Sequence, residues 1–316
     1  MGKIISFQKL SESHMERIYK AAPEMELIVA DESDVWKSHL SDAEVIIGWH
    51  SLIAEHIIQP ETKLRWIQNW GAGVNHFPFD RLAKSGIVLT NTSGVHAFPI
   101  AETIFAMVLS FTRKLNTSIR NQINQVWKSE TADEIHGKTI SIIGVGAIGK
   151  ETAKIAKAFG MTVWGVSYSG RPVANVDKIV KRNGLEEALK ESDFIVMTVP
   201  LTDETRHMIG EKEFAVMKPS AMYINIGRGQ TTDEKALAAA LQSGGIAGAG
   251  LDVFEQEPLP ADSPLWKMDN VIVSPHHAGA TVQYDERAVE IFLRNLEDFI
   301  AGREPSVNRV DLAKQY

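Results

Sequence analysis

Short apolar runs punctuate the first third of the chain, at Lys3–Phe7, Met25–Ala30, Val45–Gly48, Trp66–Trp70 and Ile87–Asn91. Each is too short for a typical helix and is built largely from β-branched, aromatic or leucine residues, which predicts buried strands. Between them Ser13–Ala22, Leu52–Ile58 and Phe79–Lys84 space their apolar residues as helices do. Strands alternating with helices call for a parallel sheet covered on both faces. Pro99–Leu115 is apolar nearly all round (Ile100, Ile104, Phe105, Val108, Leu109), the mark of a buried helix. Its expected place is between domains or between subunits. Strand patterns then return at Thr139–Ile143, Met161–Val166, Phe194–Val199, Met222–Ile226, Gly248–Val253 and Val271–Ser274. Helical stretches such as Glu211–Met217 and Asp233–Leu241 lie between some of them, which predicts a second domain of six strands. Val282–Ala301 is amphipathic and long enough to cross back to the first domain, and the Asn308–Tyr316 tail has no strong period.

The second domain opens on Thr139-Ile-Ser-Ile-Ile-Gly-Val-Gly-Ala-Ile-Gly149, a strand running into a glycine turn and then into an alanine- and lysine-rich helix. The glycines stand as G-x-G-x-x-G at Gly144, Gly146 and Gly149. In such a βαβ unit the first allows a tight turn, the second lets a pyrophosphate approach the backbone, and the third lets helix and strand pack closely. The helix that follows turns free N–H groups and its positive dipole end toward the phosphate. The pattern is weak by itself and strong between a strand and a helix, so a dinucleotide site with Gly144, Gly146, Ala147, Ile148 and Gly149 is expected here. The fold class that follows is α/β with two doubly wound domains. A Rossmann dinucleotide-binding domain, residues 94–282, is inserted in a flavodoxin-like substrate domain made from residues 1–93 and 283–316. The active cleft is expected between them.

Composition narrows the function. At 316 residues with 44% apolar positions, the chain has room for two full cores. A net charge of −7 offers no basic field for nucleic acid or an anionic membrane, so neither is an expected partner. The absence of cysteine excludes disulfides, thiolate metal sites and a Cys nucleophile. No H-E-x-x-H or i, i+4 pair exists among the ten histidines, and no metal site is expected. The first residues do not read as a signal peptide, and no apolar run approaches a membrane span. A cytoplasmic protein is expected.

Candidate chemistry sits just past the strands. Arg228, in Asn225-Ile-Gly-Arg-Gly229, stands between two glycines where a guanidinium can grip a carboxylate through two parallel hydrogen bonds. A surface ion pair is the plainer alternative. His276 follows Pro275 and suits a general acid or base, although a lone histidine is more often structural and His277 competes with it. Glu257 lies in Asp252-Val-Phe-Glu-Gln-Glu-Pro258 and can support an imidazolium and hold its tautomer, with Glu255 as rival and a solvated acidic turn as the alternative. Gly71-Ala-Gly-Val-Asn75 carries bare backbone at a strand's end, and its N–H groups suit a carboxylate unless it is only a turn. Where an NAD site would carry an acid for the ribose 2′-hydroxyl, the chain reads Ser167-Tyr-Ser-Gly-Arg171. Ser167, Ser169 and Arg171 would welcome a 2′-phosphate that a carboxylate would repel, so NADP(H) is the expected cofactor, with NAD(H) as the alternative.

Taken together, Gly144-x-Gly-x-x-Gly149, Val199-Pro-Leu-Thr-Asp-Glu-Thr205, Met217-Lys-Pro-Ser-Ala221, Asn225-x-Gly-Arg-Gly229, Leu251-Asp-Val-Phe-x-x-Glu-Pro258 and Ser274-Pro-His276 resemble the D-isomer-specific 2-hydroxyacid dehydrogenases, most closely their glyoxylate/hydroxypyruvate reductase-like branch. The likeness covers nearly the whole chain, and six motifs in order make it specific. The resemblance implies reduction of a small 2-keto acid to the D-2-hydroxy acid. Arg228 would hold the substrate, His276 would transfer the proton and Glu257 would support it. It implies Ala72 and Gly73 as the substrate-binding amides and Asp252 as the group that orients the nicotinamide carboxamide. Val199, Pro200 and Ile226 join the expected cofactor contacts. Two positions depart from the family pattern: His277 replaces an aliphatic residue, and Thr198 stands where many members carry His. An NAD-dependent D-2-hydroxyacid or phosphoglycerate-type dehydrogenase, or a nicotinamide-sensing corepressor, remains the alternative. A homodimer is expected from the resemblance, the apolar Pro99–Leu115 helix and the isolated Trp127. The substrate pocket is expected to draw on Trp49, His50, Trp70, Phe98 and Tyr284.

Overall fold

Parallel strand pairing organises the computed structural model, which describes residues 2–30, 34–50, 62–74 and 76–313. The predicted helix Leu52–Ile58, Asn75 of the bare-backbone loop and the end of the tail at 314–316 lie outside the described residues. Contacts divide the chain into two units, one comprising Met1–Val95 with Thr281–Tyr316 and the other His96–Ala280.

The first unit begins β1 (Gly2–Ser6), α1 (Glu12–Ala21), β2 (Met25–Val29), β3 (Ala43–Ile47), β4 (Trp66–Gln68), α2 (Phe79–Ser85) and β5 (Val88–Thr90). Among the described residues these strands form one sheet in the order β2-β1-β3-β4-β5, every pair parallel. This is the flavodoxin-like 2-1-3-4-5 order. Ile4, Ile5, Val45, Ile46 and Ile47 are almost wholly buried, which is why these strands read as continuous apolar runs instead of alternating ones.

The second unit follows with α3 (Ala97–Thr112), α4 (Leu115–Ile123), β6 (Thr139–Ile143), α5 (Ala147–Ala158), β7 (Thr162–Val166), β8 (Lys178–Val180) and α6 (Leu185–Glu191). It continues through β9 (Phe194–Met197), α7 (Glu211–Val216), β10 (Met222–Asn225), α8 (Glu234–Gln242), β11 (Gly248–Leu251) and β12 (Val271–Val273). Its sheet runs β12-β11-β10-β9-β6-β7-β8, and strand order reverses between β6 and β9. The sheet carries seven strands among the described residues, one more than predicted. The extra strand, β8, is three residues at an edge, starts with an exposed lysine and leaves no long apolar run to detect.

Helix α3 buries much of its apolar surface in the second unit: Ile100, Ile104, Phe105, Met107 and Val108 pack with Ala153 and Ala156 of α5 and with Ile224. The helix comes so near β11 that a Cβ on Gly250 would lie 2.7 Å from Met107 Sδ.

Helix α9 (Tyr284–Ile300) returns the chain to the first unit. Its Ala288, Val289, Phe292, Leu296 and Phe299 share one core with Trp66. The Trp66 and Phe292 rings stack at 5.0 Å with 12° between their planes. Buried Asn295 bonds the Val307 carbonyl at 3.0 Å and the Val307 N–H at 2.8 Å, which ties the C-terminal segment to this helix. No described helix is long and apolar enough to cross a membrane.

Candidate active site

The glycine turn shows three different constraints. Gly144 adopts φ +102°, and a Cβ there would meet Val199 Cγ1 at 2.8 Å and Thr198 Oγ1 at 3.0 Å. Gly149 lies 2.3 Å, measured to a would-be Cβ, from the Gly144 carbonyl oxygen, so helix α5 is tight against the turn. Gly146 is different: a Cβ there would meet nothing within 4 Å. It caps α5 without a side chain, and the first N–H bonded back to the turn is that of Lys150, to the Gly146 carbonyl. The N–H groups of Ala147, Ile148 and Gly149 therefore have no acceptor among the described residues. Open space over a glycine, unsatisfied N–H groups and a positive dipole end fit a dinucleotide pyrophosphate. Thr198, at the position where many family members carry His, donates to the Gly144 carbonyl at 2.6 Å and so holds the turn.

At the carboxyl end of β7, the Ser167–Arg171 turn is held by its own hydroxyls. Ser167 Oγ accepts the Gly170 N–H at 3.1 Å, and Ser169 Oγ accepts the Arg171 N–H at 3.3 Å. Each hydroxyl accepts in these bonds and so keeps its own proton to donate. Arg171 is exposed, and its guanidinium has no carboxylate partner among the described residues.

Strands β10, β11 and β12 are parallel neighbours, so Arg228, Glu257 and His276 leave the sheet at the same edge. The Arg228 loop is clamped from both sides. A Cβ on Gly227 would lie 2.7 Å from the Val199 carbonyl oxygen, and one on Gly229 only 1.8 Å from the Phe254 carbonyl carbon. Only glycine permits this approach, and the exposed Arg228 is delivered between the two contacts. Asn225, almost fully buried, accepts the Gly227 N–H at 3.0 Å and donates to the Arg228 carbonyl at 3.2 Å. The Arg228 guanidinium donates to the Gly227 carbonyl at 2.7 Å and has no acid partner among the described residues.

His276 has φ +51°, sparse territory for a residue with a Cβ. Its Nδ1 lies 2.6 Å from Glu257 Oε2, and Glu257 Oε1 accepts the Phe254 N–H at 3.0 Å. Nε2 of His276 has no partner among the described residues. The rivals have other partners. Glu255 pairs with His207 at 2.8 Å and accepts the Glu234 N–H, while burial pushes the Glu234 carboxyl above its usual range. His277 donates its backbone N–H to Asp252 Oδ1 at 3.0 Å and leaves its ring exposed.

Asp252 has a role the sequence did not reveal. It is buried, and its carboxylate accepts the Ser274 hydroxyl at 2.5 Å, the His277 N–H, and the Ala278 N–H at 3.1 Å on both oxygens. It anchors the turn that carries His276. Asn225, Thr198 and Ser274 likewise hold site loops, and their only signal in the sequence is a polar residue at the end of an apolar strand. Val199 touches both the glycine turn and the Arg228 loop. Pro200 is exposed at the next position, and the Ile226 side chain belongs to the core, which leaves only its backbone for a cofactor.

In the first unit, the carbonyls of the Gly71–Gly73 stretch are tied back. Asn69 donates to those of Gly71 and Gly73 at 2.7 and 2.9 Å, and Asn91 to that of Ala72 at 3.0 Å. The Ala72 and Gly73 N–H groups have no acceptor among the described residues, the arrangement an anion requires. Trp70 and Tyr284 are tied to neighbours: Trp70 Nε1 donates to Asp285 at 2.9 Å, and the Tyr284 hydroxyl donates to the Trp70 carbonyl. Trp49 packs on Phe77 with ring centroids 4.5 Å apart, His50 stacks on Phe7 at 6.1 Å, and Phe98 is exposed.

Residues 105–278 match the model of the D-isomer specific 2-hydroxyacid dehydrogenase NAD binding domain. A glyoxylate reductase of Korarchaeum cryptofilum is 35% identical over 292 residues, covering 87% of this chain and 88% of the relative. A D-isomer specific 2-hydroxyacid dehydrogenase family protein from Aeromonas salmonicida superposes with a TM-score of 0.85 at 35% identity, over 98% of this chain and 99% of the other. An NADPH-dependent glyoxylate/hydroxypyruvate reductase from Sinorhizobium meliloti, solved with NADP and sulfate, gives a TM-score of 0.80 at 27% identity over the full length of both chains.

Proposed function

Because the chain belongs to the D-isomer specific 2-hydroxyacid dehydrogenases, we propose that it is a glyoxylate/hydroxypyruvate-type reductase in which His276, held by Glu257, delivers the proton. It is an NAD(P)-dependent oxidoreductase that reduces a 2-keto acid to the 2-hydroxy acid. The observation that carries the proton assignment is the 2.6 Å bond from His276 Nδ1 to Glu257.

In the reducing direction the imidazolium donates Nδ1–H to Glu257 and keeps a proton on Nε2 for the carbonyl oxygen. Arg228, with no acid partner among the described residues, grips the substrate carboxylate and stabilises the negative charge growing on that oxygen. Within the first unit, the Ala72 and Gly73 amides suit a carboxylate. A bound dihydronicotinamide would supply the hydride to the carbonyl carbon. Asp252 and Asn225 keep His276 and Arg228 in place as substrate arrives and leaves.

NADP(H) is the preferred cofactor in this reading, supported by the two hydroxyls at the end of β7, by Arg171 with no acid partner among the described residues, and by the missing acid there. The protein works as a cytoplasmic homodimer. An exposed apolar stripe on α4 (Leu115, Ile119, Ile123) continues into Val126 and the fully exposed Trp127, and a second copy would cover it. The test is a panel of 2-keto acids assayed with NADPH and with NADH. Fastest turnover of glyoxylate or hydroxypyruvate with NADPH is expected. Tight cofactor binding without turnover of any keto acid would leave a nicotinamide-binding sensor instead.

A further inference from the structure

Register places one more cation beside the Ser167–Arg171 turn. Strands β7 and β8 pair in parallel with Val166 opposite Val180, and the Ser167 N–H donates to the Val180 carbonyl at 3.0 Å. Ser167 and Lys181 therefore leave adjacent strands side by side. Gly170, at φ +63°, makes room for the lysine: a Cβ there would lie 2.9 Å from Lys181 Cγ and 3.1 Å from its Cε. The lysine stem thus crosses the turn closed by the Ser167 and Ser169 hydroxyls.

Other charges near β8 are already engaged. Lys178 pairs with Glu187 at 2.8 Å, Lys157 with Asp177 at 2.9 Å, and Arg182 donates to the Glu204 carbonyl at 2.5 Å. Lys181 and Arg171 have no acid partner among the described residues. In a chain of net charge −7, these two cations beside two hydroxyls form a local site for a dianion.

We propose that Lys181 is the second cation for the ribose 2′-phosphate of NADP(H), acting with Arg171 from the neighbouring strand, and is a determinant of cofactor choice. This rests on the NADP(H) reading above. Gly170 is then required twice over, for its left-handed backbone and for the passage of the lysine stem.

The experiment measures binding of 2′,5′-ADP and of 5′-AMP, which differ only in the 2′-phosphate, by calorimetry on wild type, Lys181→Met, Arg171→Ala and the double variant. Methionine keeps the apolar stem and removes the charge. Lys181→Met should weaken 2′,5′-ADP about tenfold, the scale of one charge-assisted hydrogen bond, and leave 5′-AMP unchanged. The double variant should bind 2′,5′-ADP more weakly than either single one. If Lys181→Met leaves 2′,5′-ADP unchanged, or weakens both probes alike, while wild type still prefers 2′,5′-ADP, the Lys181 assignment is wrong and the NADP(H) reading stands. If wild type does not discriminate between the probes, both fall.

Discussion

Glu257 divides its two oxygens between His276 and the backbone: Oε2 meets the imidazole Nδ1 at 2.6 Å, and Oε1 takes the Phe254 N–H at 3.0 Å. The carboxylate is thereby fixed to the same segment that Gly229 touches, so the loops of Arg228 and Glu257 cannot shift independently. His276 is aimed from the end of β11, and Arg228 is delivered by the end of its neighbour β10.

Replacing His276 by Gln should lower kcat by roughly 10²–10⁴-fold, the usual worth of a positioned general acid. Cofactor affinity should not change. Stopped-flow reduction of glyoxylate together with NADPH titration measures both, and near-normal turnover would discredit the assignment.

Two substitutions at Glu257 separate orientation from charge. Gln can still accept the Nδ1–H bond, whereas Leu can neither accept it nor stabilise the imidazolium. We expect kcat to fall in the order wild type, Glu257→Gln, Glu257→Leu, with KM for the keto acid changed far less. Equal rates for all three would remove Glu257 from the mechanism.

Glycine to alanine has opposite meanings at two loops. Gly229→Ala forces a Cβ to within 1.8 Å of the Phe254 backbone and should destabilise the second unit by several kcal/mol or prevent folding, as overpacking against an unyielding backbone does. Gly146→Ala meets no neighbour, so its thermal midpoint should match wild type while dinucleotide affinity falls. Thermal melts with and without NADPH decide it. A stable Gly229→Ala, or a Gly146→Ala that binds NADPH normally, would contradict the loop geometry.

A charge on the exposed stripe should separate subunits. Sedimentation is expected to show a dimer for wild type and a folded monomer for Ile123→Glu combined with Trp127→Glu. An unchanged dimer would place the interface elsewhere.

Much of this was legible along the chain because local rules write it there. β-Branched runs between helical patterns specified two doubly wound sheets, and the flavodoxin-like and Rossmann strand orders agree with that reading. The spacing of Gly144, Gly146 and Gly149 marked the turn, since each duty depends on the absence of one side chain. Edge strand β8 escaped because three residues with a lysine carry too little apolar signal, and that same strand brings Lys181 to the turn.

The sequence determined by itself which residue types stand at the strand ends, because burial and backbone conformation are local demands that each position meets with its own chemistry. Only the tertiary structure decided which partner each one takes. Glu257 rather than Glu255 meets His276, Asp252 clamps the turn beneath it, and α3 packs within its own unit. Those choices depend on distances between segments separated along the chain, and such distances exist only once the parallel strands have set their register.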